Sequence, residues 1–448
     1  MKKNFLLRDR LARKLYKSVQ NLPIIDYHNH LKIEDITTDK HFSNITEIWI
    51  TPDPYKHRAM RILGIPEKYI TGDASDFEKF DKWISSLKNL LGNPLYDWSK
   101  MELYTVFGIK VKFNKVDSQK LYNLLNERLS TLSAKTILEK FNVEYSAPCS
   151  SVNDDITLFL NSNVFAPSLR GDDILCPTKK FTELLSKNTG VEITCLEDFI
   201  EAISARLTAF KAAGARYADH ALDDGFSYFA DDGENEKRFH SLLEKELCES
   251  DKNALASYIL MRVAREYARH GFTLQLHIGA KRSTSDRLRS IAGPAGGYAA
   301  IGSAVSVDCL TRLLNDVEKG EFGLPRTLLF TLNPSDNEVM ANLSGSYSKD
   351  GEEAIVTQGP AWWWCDHYKG MYDMLDSFSC HSVLSTFIGM TTDSRSLFSF
   401  VRHDYFRRTL ANFISEKVKE GRMPKDKKAL ISLMKKLSYE NAKKTLTI

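Results

Sequence analysis

The stretch IIDYHNHL, Ile24 to Leu31, places two histidines two residues apart at the end of an apolar run that starts directly behind Pro23. Read as a strand, the run alternates its side chains between two faces, so His28 and His30 share one face while Tyr27 and Asn29 take the other. Two imidazoles on one face can share a metal ion. The pair alone also fits interior, hydrogen-bonded histidines or loop residues, so the rest of the chain has to give it a meaning.

Outward from that strand, short β-like runs alternate with helical periodicity. After PIIDYHNH (23–30) come NVEYSAP (142–148), NVFAPSL (163–169), RYADHAL (216–222), FTLQLHIGA (272–280), RTLLFTLNP (326–334), EAIVTQGPAW (353–362) and STFIGMTTD (385–393). Eight such runs are the number that closes a parallel α/β barrel of the TIM type. SARLTAFKAAG ends at Gly214 just before the fourth run, and ALASYILMRVAREYARHG ends at Gly271 just before the fifth. Helix, glycine, strand is the rhythm of βα units.

The interval between the first two runs breaks that rhythm. It contains SDFEKFDKWISSLKNLLG, with Phe77, Phe80, Ile84, Leu87 and Leu91 at helical spacing, Ser75 and Glu78 at capping-box spacing, and Gly92 at the end. The chain therefore divides into an N-terminal amphipathic helix and strand one (1–34), a mostly helical insertion (35–139), and the remainder of a distorted (β/α)8 barrel with C-terminal helices (140–448).

Composition narrows the partners. The 448 residues are 43% hydrophobic and 27% charged with a net charge of +3, which supports neither a nucleic-acid stripe nor a membrane-surface face and leaves a small-molecule partner. No apolar run approaches the ~20 residues of a membrane span. Charges at Arg8, Asp9, Arg10, Arg13 and Lys14 interrupt any signal-peptide core. Seven cysteines, at 149, 176, 195, 248, 309, 365 and 380, form no Cys-x-x-Cys pair and read as reduced thiols of a cytoplasmic protein.

In a βα barrel the C-terminal strand ends carry the chemistry. His28 and His30 end strand one, His277 lies near the end of strand five, and Asp393 ends strand eight, which neighbours strand one once a barrel closes. Two neutral imidazoles and one carboxylate, with positions left open, compose a catalytic rather than a structural divalent-metal site. Asp393 by itself would equally suit an N-cap or a turn.

The order His-x-His on strand one and Asp on strand eight resembles the amidohydrolase superfamily, whose members are metal-dependent hydrolases in the main. Longer stretches resemble its uronate isomerase branch: LPIIDYHNHL, YITGDASDFEKFDKWISSL, LGNPLYDWSKMELYTVFGI, LQLHIGAKR, LNPSDNEV, AWWWCDHYKGM and GMTTDSRSLFSFVRHDYFRR, collinear from residue 22 to 408. The resemblance implies metal ligation by His28, His30 and Asp393, with Asp393 also carrying protons and Tyr55 of DPYKHRAMR shuttling them. It implies substrate binding by Arg395, Arg170, Trp362 and Trp363. His277 joins the catalytic group by its place on strand five, with contact to metal, to substrate or to neither left open.

The same resemblance implies one divalent ion, with zinc expected and manganese or iron also suited to an N/O site, no organic cofactor, a hexuronate substrate and a homo-oligomer. The reaction would interconvert D-glucuronate with D-fructuronate and D-galacturonate with D-tagaturonate through an enediol. Several features depart from the family: Pro54 stands where histidine is usual, His57 where tryptophan is common, APCSSVND where an acidic turn lies around strand two, and Cys365 and His367 alter the loop after the tryptophans. They leave open a metal-dependent hydrolase of a sugar-acid lactone, ester or amide, and a non-catalytic sugar-acid-binding protein.

Overall fold

A computed structural model describes residues 4–245 and 247–447. Its centre is a parallel sheet of seven strands that follow one another in space as they do in sequence: β1 (Ile24–Asn29), β2 (Val143–Ser151), β3 (Ser168–Arg170), β4 (Tyr217–Leu222), β5 (Thr273–Ile278), β6 (Thr327–Thr331) and β7 (Val356–Gln358). Each overlaps one of the first seven expected runs. Strand β1 is buried along its whole length, as a strand covered on both faces must be.

The sheet curls upon itself. Ile25 and Tyr27 of β1, Ala147 of β2, Tyr217 of β4, and Leu328 and Phe330 of β6 share one apolar cluster, although β1 and β6 are far apart in the strand order. Within β1 strict alternation fails, because the pairing with β2 shifts register between Asp26 and Asn29. Tyr27 packs on Tyr217 (ring centroids 5.6 Å apart) and the next residue, His28, packs on His277 (4.5 Å), so both face the interior. An irregularity of this kind re-aims a side chain, here a functional one.

The eighth expected strand is corrected. Residues 385–393 form a short 3-10 turn (Leu384–Thr386) and then an irregular segment in which Gly389 takes φ +101° and Asp393 φ +45°, values that no β-strand accommodates. The reason lies in its polar side chains. Thr391 Oγ1 accepts the His28 N–H (2.9 Å), and the carboxylate of Asp26 accepts the Thr392 N–H (2.7 Å) and the Thr392 hydroxyl (2.8 Å). Two backbone bonds complete the clasp, Asp393 N–H to His28 O (3.0 Å) and His30 N–H to Ser394 O (2.9 Å). Side chains therefore do much of what a ladder would do at the seam between this segment and β1.

The fifth run also ends earlier than expected. Gly279, at φ +80°, turns the chain out of the sheet, and Ala280–Lys281 pair antiparallel with Ala300–Ile301 instead. Helices fill the other intervals. Leu196–Ala212 and Glu249–His270 stop just before Gly214 and at Gly271.

Between β1 and β2 the chain is helical, with the capping box of Ser75 and Glu78 heading Asp76–Leu87; that helix stops short of Gly92. The first longer helix of this interval, Pro54–Ile62, is capped by Asp53, whose carboxylate accepts from Tyr55 N (2.9 Å) and Lys56 N (3.2 Å). Proline suits this first helical position because its missing N–H is not needed there. The N-terminal helix Arg10–Lys17 lies on the long buried helix Val401–Lys419, joined to it by Tyr16 and Asp404 (2.5 Å). No described helix is long and apolar enough to cross a membrane.

Candidate active site

The clasp between β1 and the segment after β7 brings three donors to one point. Asp393 Oδ1 lies 3.0 Å from His30 Nε2 and 3.3 Å from His28 Nε2. Its other oxygen, Oδ2, accepts the indole N–H of Trp362 at 2.7 Å. The left-handed backbone at Asp393 and at Trp363 (φ +51°) costs on the order of 1 kcal/mol or more at each non-glycine residue. That conformation aims the carboxylate back at the histidines.

Burial opposes charge on all three groups. Even so, the two histidines hold the Asp393 carboxyl well below the ordinary carboxylate range. Against its own burial His28 is raised by Cys149, Asp393 and Asp219, and His30, likewise opposed by burial, by Cys149 and Asp393. Two imidazole nitrogens and a carboxylate oxygen converging this closely are the donor chemistry that a borderline divalent ion takes, so these residues fit such an ion.

Around this point lies a narrow cleft with about 60 Å³ of interior space, open on one side to solvent. His28, His30 and Asp393 line it, and so do the other residues singled out in the sequence: Tyr55, Arg170, His277, Trp362, Trp363 and Arg395.

The Tyr55 hydroxyl is buried without a hydrogen-bond partner among the described residues. Its ring stands edge-on to Trp98 and Trp364 beneath the Arg402 guanidinium, 4.6 Å from the ring centre. The burial holds the phenol well above its usual pKa, so it stays protonated. His277 stacks on Phe330 (4.7 Å) and touches Trp362 (4.8 Å). Its Nδ1 is 3.8 Å from Asp219 Oδ2, and its Nε2 has no partner among the described residues. Burial and the neighbouring His28 keep this imidazole neutral. Arg170 donates to Asp172 Oδ2 (2.6 Å) and Asp219 Oδ2 (3.4 Å), whereas Arg395 is exposed at the lip.

Four site residues escaped the sequence reading. Asp219, at the inner face of β4, is fully buried, and its pKa is pushed up to about 8 by burial and by Cys149. Cys149 ends 3.6 Å from His28 Nδ1, Arg282 lines the cleft beside the Trp363 ring, and Trp364 stacks on Trp363 at 5.0 Å. The signal for Asp219 was available, since an aspartate on the inward period of a β-run needs a partner inside. Cys149 carried no such signal, because a single small thiol is an ordinary core residue.

Comparison with known proteins bears on this geometry. Residues 1–446 match the glucuronate isomerase family. The uronate isomerase of Caldanaerobacter subterraneus subsp. tengcongensis is 36% identical over 468 aligned residues, covering 100% of this chain and 99% of that protein. The uronate isomerase of Bacillus pumilus is 35% identical, covering 99% and 95%. The crystal structure of uronate isomerase from Thermotoga maritima superposes with a TM-score of 0.91 at 25% identity, covering 100% of this chain and 99% of the other.

Proposed function

Since the chain belongs to the glucuronate isomerase family, we propose that its cleft interconverts D-glucuronate with D-fructuronate and D-galacturonate with D-tagaturonate. The chain is an aldose–ketose isomerase of hexuronates. We take its fold as a (β/α)8 barrel whose eighth place is filled by the irregular segment ending at Asp393. The observation that carries the assignment of roles is the convergence of His28, His30 and Trp362 on the one carboxylate of Asp393, at the wall of a cleft rimmed by arginines.

A divalent ion, zinc in preference to manganese or iron, would be held by His28, His30 and Asp393. Bound there it would act as a Lewis acid, lowering the pKa of a substrate hydroxyl. Arg395 and Arg170 grip the distal carboxylate, for which a guanidinium offers two parallel donors. The Asp393 carboxylate takes the proton from carbon 2 of the open-chain aldose as the Tyr55 hydroxyl gives one to the carbonyl oxygen on carbon 1. Both oxygens of the resulting enediol then carry hydrogen.

Tyr55 recovers a proton from the oxygen on carbon 2, Asp393 delivers its proton to carbon 1, and the ketose is formed with both residues restored. Trp362 orients the carboxylate throughout, and Trp363 screens the reacting carbons from water.

The test is turnover on a panel of uronates, neutral hexoses and uronolactones, before and after chelation. D-Glucuronate and D-galacturonate should be isomerised, and chelator-treated protein should lose activity and regain it with added zinc. Turnover of lactones alone would replace this reading with hydrolysis.

A further inference from the structure

We propose that Cys149 is a fourth donor to the ion held by His28, His30 and Asp393, so that the site has an N2OS ligand set. The inference rests on the reading that the cleft binds a divalent ion. Cys149 lies on the inner face of β2, two residues beyond Ala147 of the interior cluster. Its Sγ is 3.6 Å from His28 Nδ1 and 4.0 Å from His28 Nε2. A sulfur in line with the Nδ1–H would be much farther from Nε2 than from Nδ1. Near-equal distances therefore exclude an in-line Nδ1–H···S bond; the thiol instead donates to Asp219 Oδ1 at 3.5 Å, with its sulfur 4.0 Å from the Nε2 that a metal would take.

Ligand atoms of Cys149, His28 and His30 all lie within 4.8 Å of one another. A thiolate and an imidazole nitrogen on one tetrahedral zinc are roughly 3.6 Å apart, given their usual bond lengths, so small side-chain motions suffice to bring these three donors onto one ion beside Asp393, which lies 3.0 and 3.3 Å from the two histidines. A second observation points to a ligand at this place. His277, 3% exposed, lines the same cleft with its Nε2 unpartnered among the described residues, and an imidazole nitrogen buried in that way is a group with an unmet bond.

Coordination breaks the S–H bond, forms a sulfur–metal bond and sends one proton to solvent for each ion bound, with no change of oxidation state. A soft thiolate beside two imidazoles turns the site toward zinc and away from manganese.

Cobalt(II) loaded into the full chain reports on sulfur directly. The wild type and Cys176→Ser, altered at an exposed cysteine, should each bind one cobalt and show an intense near-ultraviolet thiolate-to-cobalt band. Cys149→Ser and Cys149→Ala should keep the visible cobalt absorption, lose that band, and bind cobalt about ten- to a hundredfold more weakly. Wild type that binds cobalt without the band overturns the role of Cys149 and leaves the metal site standing. Wild type that binds no cobalt overturns both.

Discussion

Trp362 and Asp393 are joined by an indole N–H to carboxylate bond of 2.7 Å, and the bond falls on Oδ2, the oxygen that the histidines leave free. The two halves of the carboxylate are thereby separated, Oδ1 facing the imidazoles and Oδ2 fixed by tryptophan. Trp362→Phe keeps an aromatic ring against His277 and removes only the donor. A hydrogen bond to a charged acceptor is worth about 1.5–3 kcal/mol, so turnover should fall by roughly ten- to a hundredfold. Metal content per chain should stay as in the wild type. A variant with full turnover would show that Trp362 does no more than pack.

Asp393→Asn should cost far more, since it removes a ligand charge and the proposed base together. We expect turnover to fall by about 10³-fold or more, with metal content reduced as well. Tyr55→Phe removes one hydroxyl that has no hydrogen-bond partner among the described residues. It should retain measurable activity, reduced at least about tenfold, at an unchanged metal content. Steady-state kinetics beside metal analysis of both variants separates the roles, and a Tyr55→Phe enzyme near wild-type rate removes the tyrosine from the proton path.

What the sequence disclosed and what it hid follow from the range of the forces involved. His28, His30 and His277 were placed by local pattern, because strand ends can be read from apolar runs and their boundaries. Asp393 was placed in the site but its segment was misread as a strand. STFIGMTTD has strand-like composition, yet its threonines bond to Asp26 and His28 across more than 350 residues of chain, a tertiary preference that no window of sequence contains. The inward turn of both Tyr27 and His28 was hidden for the same reason, since it depends on the register with β2. Pro54 is explained locally, as the first residue of a helix capped by Asp53 that carries Tyr55 to the cleft.

The stability of the fold should depend on pH through the buried His57. Burial lowers its pKa from 6.5 to about 4, and its Nε2 has no partner among the described residues. The unfolded chain takes up a proton near pH 6.5 and the folded chain only near pH 4, so between those values the unfolded state holds more protons and stability rises with pH. Acidification from pH 7 to pH 5 should therefore cost about 2 kcal/mol through this one group. Urea unfolding at the two pH values should show a drop that is smaller by that amount in His57→Leu. An equal drop in both proteins would mean that the imidazole is already charged in the fold.

The isomerisation itself leaves an isotopic record. A hydrogen leaves carbon 2 and one arrives at carbon 1, and between those events the proton resides on Asp393. The carboxylate side chain is 14% exposed. Its Oδ2 is covered by Trp362, so exchange with water during the life of the enediol should be partial. Ketose formed in deuterated water should then carry deuterium at carbon 1 in a fraction of molecules, and Trp362→Phe, which uncovers Oδ2, should raise that fraction. Proton NMR of the carbon 1 methylene measures both. Complete retention of the original hydrogen in both enzymes would point instead to a proton carried wholly shielded from water or to a hydride passing directly between the carbons, and the assignment of Asp393 as base would have to be reopened.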